Sequence, residues 1–206
     1  MFENLFELST ASKIVLFVLF GVSVYGLYYL KKQDKVKFTT KMLVVASMCI
    51  ALSFVLSHIR LFRLPQAGSI TAASMLPMFL FAVMFGPKAG IIAGVAYGFL
   101  QFIQDGYVIH EMQFLLDYPL AFGAMGLAGL YKKNIAIASL IGGLARTFMH
   151  FLSGFIFFGM YAPEGMNPVI YSFIYNISTS GVDTLIVVLL CFVPQIKTLL
   201  KRLQTI

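Results

Sequence analysis

Asp117 stands in the otherwise apolar run Phe114-Leu115-Leu116-Asp117-Tyr118-Pro119-Leu120-Ala121-Phe122, where a charge is costly to hold. An ionisable side chain persists there only facing a partner charge, a bundle interior or a wet cavity, so it marks a candidate functional site. Two more charges, Arg146 and Asp183, have apolar surroundings, and His150 follows one helical turn after Arg146. Arg146 requires an anionic partner, and both Asp183 and Asp117 can supply it; pairing with Asp183 leaves Asp117 for a ligand. Tyr107, Tyr118, Phe158, Tyr171 and Asn176 add hydroxyls, an amide and flat π-faces. Together these groups suit a small, flat, polar heterocycle with a positive charge: an anion for the cation, rings for stacking, and directional partners for ring nitrogens.

The same residue types serve hydrolases and transferases, so an intramembrane enzyme is the rival reading. His110-Glu111-Met112-Gln113-Phe114 begins like a zinc-protease helix, but Phe114 occupies the place of the second histidine. No nucleophile lies at a recognisable spacing from a base, and enzyme activity is not expected. The chain carries no Gly-x-x-x-x-Gly-Lys-Ser/Thr phosphate loop, so it cannot hydrolyse ATP by that route.

These side chains must be positioned by membrane-spanning elements. Hydrophobic residues make up 60% of the 206 positions and charged residues 11%, and the apolar residues fall in long blocks: 14–30, 42–57, 70–86, 89–104, 112–131, 135–160 and 168–194. All seven are expected to be helices, giving an all-α integral membrane protein with no room for a separate soluble domain. Tight turns at Gly86-Pro87-Lys88 and Tyr131-Lys132-Lys133-Asn134 predict antiparallel hairpins, with the longer connections 58–69, 105–111 and 161–167 on the opposite side. Counted from the lysine-bearing ends at about 1.5 Å per residue, Asp117, Arg146 and Asp183 all lie roughly 20 to 22 Å along their helices.

Lysine and arginine gather on the cytoplasmic side of short loops. Lys31, Lys32, Lys35, Lys37 and Lys41, then Lys88, Lys132 and Lys133, then Lys197, Lys201 and Arg202 share one face if every block spans. That predicts a multi-pass cell-membrane protein with a cytoplasmic C-terminus and an N-terminus outside. The +7 net charge follows from this asymmetry and from anionic lipid headgroups, with no need of nucleic acid. Glu3 and Glu7 precede the first block where a signal peptide has its basic residues, so that block reads as a spanning helix. Cys49 and Cys191 read as inert buried thiols and no metal site is expected. Gly86, Gly90, Gly94 and Gly98, with Gly123, Gly126 and Gly129 on the next helix, read as close packing surfaces. Ser47 and Ala51 form another small pair, facing either this bundle or another subunit.

At these residues the chain resembles the thiamine-specific substrate-binding (S) components of energy-coupling-factor (ECF) transporters, over about residues 40–195. The resemblance is carried by Gly68-Ser69-Ile70 with Met75-Leu76-Pro77, by Gln113 through Phe122, by His150-Phe151-Leu152-Ser153-Gly154, and by Phe158 through Met166 leading to Tyr171 and Asn176. It implies a six-helix core, here 39–206; the extra N-terminal helix and basic linker expected over 1–38 lie outside that pattern. It further implies thiamine as transported ligand rather than cofactor, met by Asp117 as the acidic residue, Tyr118 beside it, Tyr107 from the preceding loop, and His150, Tyr171 and Asn176 as further polar contacts. Phe158 stands where the family commonly places a stacking tryptophan. The chain has no tryptophan, and Phe62 is the candidate to replace the second family tryptophan, before Gly68. An S component for another vitamin is the alternative these departures leave open. The resemblance implies energy from a separate transmembrane coupling protein and two ATPase subunits, with Ser47 and Ala51 at the small-x-x-x-small contact for that module.

Overall fold

A computed structural model describes residues 37–196 and Thr198. The first apolar block, Lys31, Lys32 and Lys35, and the terminal Lys197, Lys201 and Arg202 lie outside the described residues.

Helix α1 (Thr40–His58) starts where the Thr39 hydroxyl accepts the Met42 N–H at 3.2 Å, satisfying one of the donors a helix start leaves open. It exposes Leu43, Val44, Met48, Leu52 and Val55 and buries Ser53 and Ser57. Apolar outside and polar inside is the pattern of a helix solvated by lipid, where polar groups find partners only within the protein. Among the described residues three stretches have the length and hydropathy to cross a membrane: α1, Ile135–Phe157 and Pro168–Leu190.

After α1 the expected all-α fold gives way to an antiparallel ribbon of β1 (Arg60–Arg63) and β2 (Ser69–Thr71), in register Arg60 with Thr71, Phe62 with Ile70 and Arg63 with Ser69. Its turn places Gln66 and Ala67 at φ of 52° and 62°. The block expected as one helix over 70–86 is thus β2, a short turn and α2 (Leu76–Phe85). Local hydrogen bonds explain the break: Thr71 Oγ1 meets Ser74 Oγ at 2.8 Å and Ala73 turns to φ 60°, so the backbone finds partners outside a helical ladder.

Gly86, at φ 89°, joins α2 to α3 (Pro87–Asp105), a conformation glycine adopts without steric penalty. The block 112–131 is not one regular helix. It runs as α4 (Glu111–Leu115), a π-helical turn (Leu116–Leu120), α5 (Ala121–Ala124) and a 3₁₀ segment (Met125–Leu130). Pro119 lies inside the π turn, where the Ala121 N–H reaches back five residues to the Leu116 carbonyl; proline cannot supply the usual ladder bond, and the wider turn accommodates it. Helix α6 (Ile135–Phe157), capped by Asn134, stops short of the expected 160 and passes into a 3₁₀ turn at Gly159–Tyr161. The last block divides into α7 (Pro168–Asn176), a second π turn (Ile177–Gly181) and α8 (Val182–Leu190).

The glycines let backbones meet. A Cβ on Gly98 would lie 2.5 Å from the Tyr118 carbonyl oxygen, and one on Gly90 would lie 2.9 Å from Gly126 Cα. The α3 stripe therefore seats the segment carrying Asp117 directly against α3. A Cβ on Gly86 would lie 3.9 Å from Lys132 Nζ, so the two lysine-bearing turns are neighbours. From that end α3 rises about 27 Å to Asp105, in the wall of the cavity described next.

Candidate functional site

The cavity encloses about 980 Å³ including its open mouth, and its wall contains all seven residues singled out from sequence: Tyr107, Asp117, Tyr118, His150, Phe158, Tyr171 and Asn176. They come from the loop after α3, the first π turn, α6 and its C-terminal end, and α7.

Asp117 is held from three sides. Its Oδ2 accepts from Gln113 Nε2 at 2.6 Å and from Ser153 Oγ at 2.8 Å, and its Oδ1 lies 3.0 Å from His150 Nδ1. A neutral imidazole with its proton on Nδ1 makes this contact as a donor. The side chain retains 15% exposure, at the edge of the wet space rather than sealed from it. The π turn that places it is a feature found often at functional sites.

The cavity end of the phenol at Tyr118 is engaged as an acceptor of the Tyr107 N–H at 2.8 Å, so it anchors the loop. Tyr107 in turn shares a 2.8 Å hydrogen bond with Tyr161, which raises its phenol above the ordinary range. Its ring lies 6.1 Å from that of Phe158, and Phe158 lies 6.0 Å from Tyr161, forming an aromatic wall. Asn176 spends Nδ2 on Ser172, at 2.9 Å to the carbonyl and 3.2 Å to the hydroxyl. The polar atom this leaves on its side chain is the carbonyl oxygen, an acceptor. Phe62 is 61% exposed on β1 and is not part of the cavity wall, so it does not replace an aromatic there.

Arg146 lies 3.6 Å from Asp183 Oδ2, donates to Met75 Sδ at 3.1 Å and covers the Phe122 ring at 4.7 Å. Asp183 Oδ1 accepts the Thr71 N–H at 2.8 Å and its hydroxyl at 3.0 Å. Of the two partners open to Arg146, the structure thus uses Asp183, and the pair also ties β2 to α8.

Sequence reasoning passed over the polar groups at the other end of the cavity. Arg60 meets Asp105 at 2.6 Å and Arg63 meets it at 3.6 Å, while Gln101 Nε2 reaches Ser57 Oγ and Gln104 Oε1, each at 3.0 Å. Tyr175, also in the wall, donates to the Pro65 carbonyl in the ribbon turn. Spacing held one available signal: Ser57, Gln101 and Gln104 end two apolar helices on the same side.

Compared with known proteins, residues 43–202 match the family model described as thiamine transporter protein (Thia_YuaJ). The chain belongs to this family. The thiamine transporter ThiT of Bacillus subtilis is 35% identical over 130 residues, covering 55% of this chain and 67% of the relative. ThiT of Lacticaseibacillus paracasei is 30% identical over 182 residues, covering 74% and 86%. Among solved structures, ThiT from Listeria monocytogenes superposes with a TM-score of 0.63 at 28% identity, over 78% of this chain and 93% of that one. The S component of a bacterial ECF transporter has the same fold, with a TM-score of 0.52 at 24% identity over 78% and 98%. This member of the thiamine transporter family is a mostly helical, multi-pass membrane protein and not an enzyme.

Proposed function

We propose that this protein is the thiamine-binding S component of an ECF-type importer and takes up vitamin B1 together with a separate ATPase module. One observation carries the ligand assignment: the charge balance around the cavity. Of the two described carboxylates in its wall, Asp105 faces Arg60, and the lining Arg146 is answered by Asp183 outside the wall, whereas Asp117 is met by an amide, a hydroxyl and an imidazole. One uncompensated carboxylate beside an aromatic wall matches thiamine, whose thiazolium charge is fixed at every pH and whose burial requires an anion. The Asn176 carbonyl suits the amino group of the aminopyrimidine ring.

In this reading Tyr107, Tyr118, His150, Phe158 and Tyr171 complete the site, and residues 39–206 form a six-helix binding domain, preceded in sequence by the extra span proposed for 1–38. The module comprises a transmembrane coupling protein and two ATPase subunits, docked on Ser47 and Ala51. Both small residues are exposed on α1, which supports that surface.

Calorimetric titration of the detergent-solubilised protein tests the ligand. Thiamine should bind saturably, and Asp117→Asn, which keeps shape and removes charge, should weaken it by about 2 to 5 kcal/mol while weakening an uncharged isostere much less. Failure of the folded parent to bind thiamine at millimolar concentration would reject the assignment in favour of another vitamin. The lysine-bearing turns face the cytoplasm in this proposal, with the cavity outward and the termini on opposite sides. Cysteines placed at positions 5 and 204 should therefore label differently with an impermeant thiol reagent on intact cells; equal labelling removes the extra span.

A further inference from the structure

Gln113 is 1% exposed and uses its whole side-chain amide. Its Oε1 accepts the Ile109 N–H at 3.1 Å, and its Nε2 donates to the Tyr107 carbonyl at 3.1 Å and to Asp117 Oδ2 at 2.6 Å. The Ile109 N–H fixes which end of the amide faces the loop, because a donor must meet oxygen. The other end then presents N–H groups to Asp117 with no freedom to flip. A group fixed as a donor can be met only by an accepting oxygen, which sets how that carboxylate is oriented. With Ser153 on the same oxygen, Oδ2 is occupied and Oδ1, on the His150 side, is left as the oxygen with the fewest protein partners. The same amide fixes the Tyr107 carbonyl, while Tyr118 holds the Tyr107 N–H, so the position of the Tyr107 ring depends on Gln113 as well.

We propose that Gln113 is the positioning residue of the site, which holds Asp117 as an oriented anion and couples it to the aromatic wall through the Tyr107 loop. This rests on the thiamine reading; Gln113 borders the cavity, but its amide is used on Ile109, Tyr107 and Asp117, so it acts on a ligand through Asp117 and Tyr107. A charge-assisted hydrogen bond from a fixed donor is about twice as strong as a neutral one. Removing the amide therefore acts mostly through the carboxylate charge.

A double-mutant cycle separates this from a scaffold role. Thiamine affinity is measured by calorimetry on the full chain for the parent, Gln113→Leu, Asp117→Asn and the double variant, with the uncharged isostere run in parallel. Gln113→Leu alone should lower thiamine affinity at least roughly tenfold, the range for a hydrogen bond to a charged group. In the Asp117→Asn background the same change should cost under about threefold, since the charge it serves is gone. The isostere should lose less than thiamine in the single variant. Equal losses in both backgrounds, or equal losses for both ligands, would make Gln113 a loop scaffold and overturn the proposal. Ser153→Ala removes the second donor from Oδ2 without disturbing the loop, and it should show the same dependence on Asp117; independence there also counts against it. A parent protein that binds no thiamine rejects the ligand assignment instead, and is recognised before any variant is compared.

Discussion

Arg146 and Asp183 are each charged in a region that lipid surrounds, and each answers the other at 3.6 Å while Asp183 also receives two hydrogen bonds from Thr71. Removing one partner of such a pair leaves the other desolvated and alone, a loss of about 3 to 5 kcal/mol in buried settings. Asp183→Asn should therefore lower the melting temperature more than it lowers thiamine affinity measured on the surviving folded protein. Abolished binding with an unchanged melting temperature would exchange the roles given to Asp183 and Asp117. The two carboxylates are chemically alike, and only their neighbours separate them: a guanidinium for one, neutral donors for the other. Ionisable residues in apolar runs were legible from the sequence because their desolvation demands an explanation. Gln113 and Ser153 lie in the motifs that carry the family resemblance but bear no charge, so their chemistry alone does not separate them from ordinary polar residues, although they define how Asp117 is presented.

At the level of elements, hydropathy located the apolar helical segments among the described residues but not their internal breaks. A π turn and a regular helical turn have the same apolar composition, and the difference at Leu116–Leu120 rests on Pro119 and its missing N–H. The ribbon was hidden for a related reason. Ser69–Thr71 runs into an apolar stretch that lengthens a helix by composition, while the hydrogen bonds that pull it away, from Thr71 to Asp183 and within Thr71–Ser74, come from residues distant in sequence or from local hydroxyls. The glycine stripe was legible as a packing surface, and its consequence is visible only in three dimensions. Gly98 stands against the carbonyl of Tyr118, the residue after Asp117, so close helix packing and placement of the anion are one arrangement. The ribbon adds the remaining wall, with Arg60 on Asp105 and the turn carbonyl of Pro65 on Tyr175.

For the whole molecule, the proposed division between binding and energy conversion assigns a docking role to the outer face of α1. The residues around Ser47 on that face are large and apolar, including Val44, Met48 and Val55, as lipid contact requires. Ser47 turns its hydroxyl onto the Leu43 carbonyl at 2.9 Å, so its polar group is satisfied within its own helix and the surface it offers is small and smooth. With Ala51 one turn later it allows another helix backbone to approach closely, which is how helices associate where lipid removes the hydrophobic driving force. An indole there would hold that partner away without reaching the cavity, whose wall begins on α1 only at Ser57 on the buried side. Ser47→Trp should therefore abolish thiamine uptake in cells expressing the coupling module while leaving the dissociation constant of the purified protein within about twofold of the parent, a change under 0.5 kcal/mol. Uptake that persists at the parent rate would move the docking surface to another helix, and a matching loss of binding would show that α1 shapes the site itself.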